Sequence, residues 1–122
     1  MRIGELAKRS GLSRDTLRFY ERQGLIGSRP EAPGVNTYRD YPDETLMTLD
    51  MVAEAQDAGF TIAELVLFFG RLSAPEDGFD GGAFLDAKIA EVEARLDRGR
   101  RFLATLKQAR AALEMAARGP ER

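Results

Sequence analysis

Neither cysteine nor histidine occurs among the 122 residues of this chain. Disulfides, thiolate nucleophiles, Cys or His metal centres and Ser-His-Asp catalysis are therefore excluded together. Carboxylates remain, and they can hold a hard cation such as Mg²⁺. Yet 20 Asp and Glu residues bring some carboxylates close by number alone, and nothing places a pair in a cleft. No cofactor, metal ligand or catalytic residue is assigned, and the chain is not read as an enzyme. The guanidinium groups are more informative because they are unevenly spread. Residues 1–41 carry a net charge of +3, residues 42–79 carry −7 and residues 80–122 carry +2, giving −2 overall. The total argues against a nucleic-acid partner, whereas the clustering of arginine in the head argues for one.

Those side chains need elements to hold them. Ile3, Leu6 and Ala7 share one helical face. Gly11 permits a left-handed turn, and Ser13 is a good N-cap for a second helix ending near Gln23, with Gly24 as its stop. Two short helices on a tight turn suggest a helix-turn-helix. Ala7 is small where the helices approach, and Leu17 points back into their shared core. The same spacing also fits any small helical hairpin. Residues 25–41 hold Gly27, Pro30, Pro33 and Gly34 and are not helical. The run Thr37-Tyr38-Arg39-Asp40-Tyr41 has β character, so a hairpin or wing from Ile26 to Tyr41 is expected. Asp43 is the expected cap of a third helix reaching Asp57, whose apolar face comprises Leu46, Leu49, Met51, Val52 and Ala53. Thr61-Ile62-Ala63-Glu64 reads as a capping box opening a fourth helix, with Leu65, Phe68 and Phe69 on its buried side.

The rest of the chain reads as one helix from about residue 83 to 117, roughly 50 Å long at 1.5 Å per residue. Leu85, Ile89, Val92, Leu96, Leu103, Leu106 and Leu113 recur in alternating steps of four and three, with Gly99 and Arg110 completing a heptad seam. A head this small cannot cover such a stripe, so a second copy of the chain is the expected partner. Folding back on its own head is the alternative. Gly99 costs the helix about 1 kcal/mol relative to Ala, and it marks a place where Phe102 of a partner helix could pack. The expected organisation is a winged helix-turn-helix head over 1–70, a linker loop over 71–82 and a coiled-coil helix over 83–118.

Ile3-Gly4-Glu5-Leu6-Ala7, Ser13, Thr16-Leu17-Arg18-Phe19-Tyr20-Glu21 and Gly24-Leu25-Ile26 resemble the head of the MerR family of transcription regulators. The wing strand, Gly59-Phe60-Thr61 with its helix and the terminal helix extend the resemblance over nearly the whole chain. The resemblance implies a mainly α fold: a winged helix-turn-helix, a helix pair and an antiparallel coiled-coil dimer. It further implies a homodimer on an inverted repeat of double-stranded promoter DNA. Distortion of a long promoter spacer then acts on RNA polymerase indirectly, through DNA shape. On this view Ser13, Arg14, Thr16 and Arg18 belong to the DNA-facing side of the second helix, Arg being the usual reader of guanine. Tyr38 and Arg39 hold the backbone from the wing. Tyr20 either gives its hydroxyl to a phosphate or packs in the core. Glu21 is expected to partner a nearby arginine, and Arg22 and Arg29 are either contacts or solvated charge.

Two departures from the family stand out. Its metal- and redox-sensing members use cysteines near the long helix, and this chain has none. Its helix pair normally offers basic residues to DNA, whereas residues 43–69 contain no Lys or Arg. Weaker DNA binding with a smaller salt dependence is expected. The alternative function is an anti-repressor or adaptor of the same fold that meets a protein through its acidic middle. A small-molecule effector, if used, is expected near Phe68, Phe69, Phe79 and Phe84, although these also read as ordinary core aromatics. No apolar run approaches the ~20 residues of a membrane span, and the first ten residues lack the apolar stretch of a signal peptide. A cytoplasmic protein is expected.

Overall fold

In the computed structural model, which describes residues 1–31 and 38–119, five helices and one two-stranded hairpin follow in the order α1, α2, β1, β2, α3, α4, α5. The mainly helical class and the winged helix-turn-helix head are as expected from the sequence. Thr37, Pro33 and Gly34 of the expected wing lie outside the described residues. The chain divides into two compact units, Met1–Asp77 and Gly78–Arg122.

Helix α1 (Ile3–Ser10) ends at Gly11, whose φ of 75° lets its N–H reach the Ala7 carbonyl at 3.0 Å. Helix α2 (Arg14–Arg22) opens on Ser13, whose hydroxyl accepts from the Thr16 N–H at 3.1 Å. It closes in a Schellman turn: Gly24 N–H donates to Glu21 and Leu25 N–H to Tyr20, both at 3.0 Å. The turn carries Leu25 and Ile26 into the core, which they share with Leu6, Leu17, Tyr20, Tyr41, Leu49, Val52, Phe60 and Leu65. Leu6 and Leu17 are fully buried, each contributing about 1.5–3 kcal/mol by leaving water. The wing is short: β1 (Arg29–Pro30) pairs antiparallel with β2 (Arg39–Asp40), Arg29 opposite Asp40 and Pro30 opposite Arg39. Ile26, expected at the start of the hairpin, is instead a core residue outside the strands.

Helix α3 (Glu44–Asp57) differs from expectation in two respects. Asp43 does not cap it with its side chain; it takes helical dihedrals. The Pro42 and Asp43 carbonyls accept from Thr45 and Leu46 at 3.0 and 3.1 Å. The buried side is Thr45, Leu49 and Val52, while Met51 and Ala53 face outward. The run is apolar on every face, so periodicity alone could not select the buried one. A second Schellman turn closes α3 at Gly59 and buries Phe60. Helix α4 (Ile62–Ser73) has the expected capping box, with Thr61 and Glu64 bonded reciprocally at 3.0 and 3.1 Å. It runs through Arg71–Ser73, part of the stretch expected to be loop. The second unit is α5 (Gly81–Ala117), which starts two residues earlier than expected because the Asp80 carboxylate accepts from the Ala83 N–H at 3.0 Å. No described helix is long and apolar enough to cross a membrane.

Candidate nucleic-acid interface

The start of α2 is fixed by its cap. Besides accepting from the Thr16 amide, Ser13 donates its hydroxyl to Thr16 Oγ1 at 2.9 Å. This locks the first turn, from which Arg14 and Arg18 project four residues apart on one helical face. Arg18 is exposed and lies 3.4 Å from Asp15, an ion pair too open to water to hold it firmly. Arg14 reaches back over the first turn of α1: a Cβ on Gly4 would come within 2.8 Å of Arg14 Nη2.

The C-terminal end of α2 is tied to the root of the wing through Glu21. Its carboxylate accepts from Ser28 Oγ at 2.5 Å and from Tyr41 Oη at 2.6 Å. Arg39 joins at one remove, donating to Ser28 Oγ at 2.9 Å and to the Ser28 carbonyl at 3.0 Å. Glu21 was expected to pair with an arginine; its direct partners are hydroxyls, because Ser28 stands between it and the guanidinium. Tyr41 is 2% exposed. Burial, then the bond to the Glu21 carboxylate, push its phenol up to about 12. A guanidinium has five N–H donors, so Arg39 keeps donors beyond the two used on Ser28.

The N-terminal segment completes the arrangement. The Met1 ammonium donates to Asp40 Oδ1 at 2.7 Å and to the Tyr41 carbonyl at 2.8 Å, and Tyr41 N–H returns a bond to the Met1 carbonyl at 2.6 Å. The Asp40 hydrogen bond leads in raising that ammonium above its ordinary value. Arg2 forms a two-pronged ion pair with Glu31 at 2.7 and 2.8 Å, and its guanidinium carbon sits 3.9 Å from the Tyr38 ring centre.

Between α1, α2 and the wing lies a groove of about 330 Å³ lined by Arg2, Ile3, Arg14, Arg18, Tyr38, Arg39 and Tyr41. Four guanidinium groups line this one concavity, the charge of Arg2 offset there by Glu31. The structure thus brings together Arg14, Arg18, Tyr38 and Arg39 from the residues expected in DNA binding. Ser13 and Thr16 stand at the head of the same helix without lining the groove. Tyr20 is placed in the core, with its hydroxyl 3.4 Å from Gln56 Oε1. Sequence reasoning missed Arg2, Gly4, Ser28 and Glu31. Their roles depend on partners far away in the chain, although the placement of Gly4 beside a helix start was a signal of close approach.

Other candidate residues lie elsewhere. Phe68 and Phe69 form an edge-on pair at 5.4 Å on α4, and Phe79 and Phe84 a tilted pair at 5.4 Å in the second unit. On α5 no residue is buried, and Leu85, Ile89, Leu96, Leu103, Leu106 and Leu113 are 41–72% exposed; Val92 is half-buried. Arg110, the seam's charged position, lies 3.7 Å from Glu114 on its own helix. Among the described residues no group of three or more acidic side chains could hold a metal ion.

Residues 1–69 match the family model described as MerR HTH family regulatory protein. The mercuric resistance operon regulatory protein of Bacillus cereus is 34% identical over 114 residues, covering 88% of this chain and 83% of that protein. The crystal structure of a MerR family transcriptional regulator from Listeria monocytogenes superposes with a TM-score of 0.71 at 25% identity, covering 93% of this chain and 86% of the other. The fold is also that of HiNmlR, a family regulator crystallised with promoter DNA, at a TM-score of 0.51 and 23% identity over 91% of this chain and 94% of that one.

Proposed function

The chain belongs to the MerR family of HTH regulatory proteins, and from that premise we propose that it binds an inverted-repeat promoter operator as a homodimer and controls transcription by distorting the promoter spacer. The observation that carries this reading is the groove where four arginines converge beside the recognition helix. Helix α2 enters the major groove by its N-terminal end, as recognition helices do. Arg14 and Arg18 reach base edges and nearby phosphates, while Ser13 and Thr16 hold that turn in place. Tyr38 and Arg39 grip the backbone alongside and fix the register. Tyr20 has its ring in the core and its hydroxyl 3.4 Å from Gln56 Oε1, so it would reach a phosphate only by leaving that partner. The exposed leucine seam of α5 supplies the dimer contact. A dimer is what an inverted repeat requires, since each half-site is read by one copy of α2.

RNA polymerase is then affected through the DNA, because bending and untwisting change how its promoter elements are presented. The signal that triggers this is not a thiolate-bound metal, whatever the name of the Bacillus cereus relative says of that protein, since soft metals select thiolates and this chain has none. A second reading, an adaptor that binds a protein, is favoured by two observations. Residues 43–69 carry no Lys or Arg, and Met47 and Met51 are exposed among the acidic residues of α3. Sequencing of genomic fragments retained by the purified chain tests the choice. Enrichment of an inverted repeat inside promoter spacers is expected. Absence of enrichment over an Arg18→Ala control would favour the adaptor.

A further inference from the structure

The wing does not stand on its ladder alone. Each strand has two residues, and one of them, Pro30, has no N–H to give. Beyond the ladder, Glu31 N–H donates to the Tyr38 carbonyl at 3.1 Å, so Glu31 and Tyr38 continue the strand pairing. Arg2 touches both. Its Nε and Nη2 take the two oxygens of Glu31, and its guanidinium plane covers the Tyr38 ring. The Arg2 main chain is itself anchored, because its carbonyl accepts the Leu6 N–H at 3.0 Å as α1 begins. Arg2, Glu31 and Tyr38 therefore form a closed unit that ties the wing to the first helix.

We propose that Arg2 is a positioning residue for DNA binding, clamping Tyr38 so that its hydroxyl meets a backbone phosphate. The proposal rests on the DNA-binding reading and deepens it. Arg2 lines the basic groove, so direct phosphate binding is the obvious assignment, but its chemistry points elsewhere. One forked edge that could grip a phosphate, Nε with Nη2, is already engaged by the Glu31 carboxylate in the geometry a phosphate would need. The Glu31 charge also offsets that of Arg2 within the groove. What the pair presents to DNA is a Tyr38 side chain that is 55% exposed and backed by a cation that the ring quadrupole attracts.

Positioning and direct contact predict opposite outcomes for one substitution. Glu31→Gln removes a negative charge and leaves one amide oxygen where two carboxylate oxygens held the Arg2 fork, so a phosphate-binding Arg2 would bind DNA more tightly. A positioning Arg2 loses its anchor, and binding weakens. The assay is fluorescence anisotropy of the full chain with a fluorescein-labelled mixed-sequence duplex of about 30 base pairs, titrated at several KCl concentrations, since backbone contacts do not depend on sequence. Glu31→Gln is expected to weaken binding about fivefold, the size of one hydrogen bond. Arg2→Gln is expected to weaken it similarly with the salt slope unchanged, and to cost nothing further in a Tyr38→Phe background. Arg2→Lys, which keeps the charge without the fork, should restore only part of the loss. Tighter or unchanged binding by Glu31→Gln would overturn the proposal. So would an Arg2→Gln salt slope smaller by about 0.9, the loss of one phosphate contact. Should Arg2→Gln prove misfolded by circular dichroism, Glu31→Gln and Tyr38→Phe decide alone. No salt-dependent binding by the unsubstituted chain would instead overturn the DNA-binding reading, and the Arg2 assignment with it.

Discussion

Glu21→Ala is expected to destabilise the head by about 2–3 kcal/mol, through the loss of two charge-assisted hydrogen bonds rather than of packing. The carboxylate accepts from Tyr41 at 2.6 Å and Ser28 at 2.5 Å, and bonds to a charged group contribute about 1.5–3 kcal/mol each. The Tyr41 loss lies toward the upper end, because that residue is buried and its hydroxyl is left without the carboxylate. The Ser28 loss lies toward the lower end, because Ser28 keeps Arg39 and is only half-buried. Relief of carboxylate desolvation offsets part of the sum. Against a typical stability of about 5–15 kcal/mol this is a large fraction, visible as a lower urea midpoint with an unchanged slope. Urea unfolding followed by circular dichroism should be run on Glu21→Ala, Tyr41→Phe and the double variant. A coupling above about 1 kcal/mol is expected, since the two residues share one bond. A Glu21→Ala change below about 0.5 kcal/mol, or strictly additive losses, would refute the view that this carboxylate joins α2 to the wing.

Other consequences follow from the same contacts. The Tyr41 phenol is raised to about 12 in the folded chain against about 10 unfolded, so its contribution is complete below pH 10 and is lost as pH rises toward 12. Tm measured across that interval should fall more steeply for the unsubstituted chain than for Tyr41→Phe; parallel curves would contradict the assignment. Gly4→Ala should change helix stability little, since Gly4 lies in the first turn of α1 rather than mid-helix, yet weaken DNA binding. The new Cβ would lie 2.8 Å from Arg14 Nη2 and push that guanidinium aside. Unchanged affinity in the anisotropy assay would show that Arg14 does not act from its place over α1. Leu96→Glu sets a charge in the α5 seam and should give monomers by analytical ultracentrifugation; a dimer that persists would defeat the coiled-coil reading.

How much of this was legible in the sequence depended on how local the determining physics was. Ser13, Gly24, Gly59 and the Thr61–Glu64 box act within one helical turn, so residue type and spacing were enough to place the helix ends. Asp43 had the right type and still failed as a cap, because the chain already has helical dihedrals there and backbone carbonyls take the free amides. The length of α5 was readable because its apolar pattern repeats at helical spacing over the whole element. Arg14, Arg18, Tyr38 and Arg39 could be picked out as residues suited to DNA. That they line one groove follows from how the wing folds back, which no local pattern encodes. The same is true of Arg2 and Glu31, 29 residues apart in the chain and bonded at 2.7 Å, and of Glu21, whose hydroxyl partners come from the wing root.

The central claim, that the arginine groove beside α2 holds DNA, is tested most directly by Arg18→Ala on the selected promoter fragment, with affinity measured against salt and oligomeric state by sedimentation. Affinity at least about tenfold lower is expected, in line with an Arg contact worth about 1–3 kcal/mol, on a protein that remains dimeric. Unchanged affinity and salt slope, or a chain that falls to monomers, would contradict it.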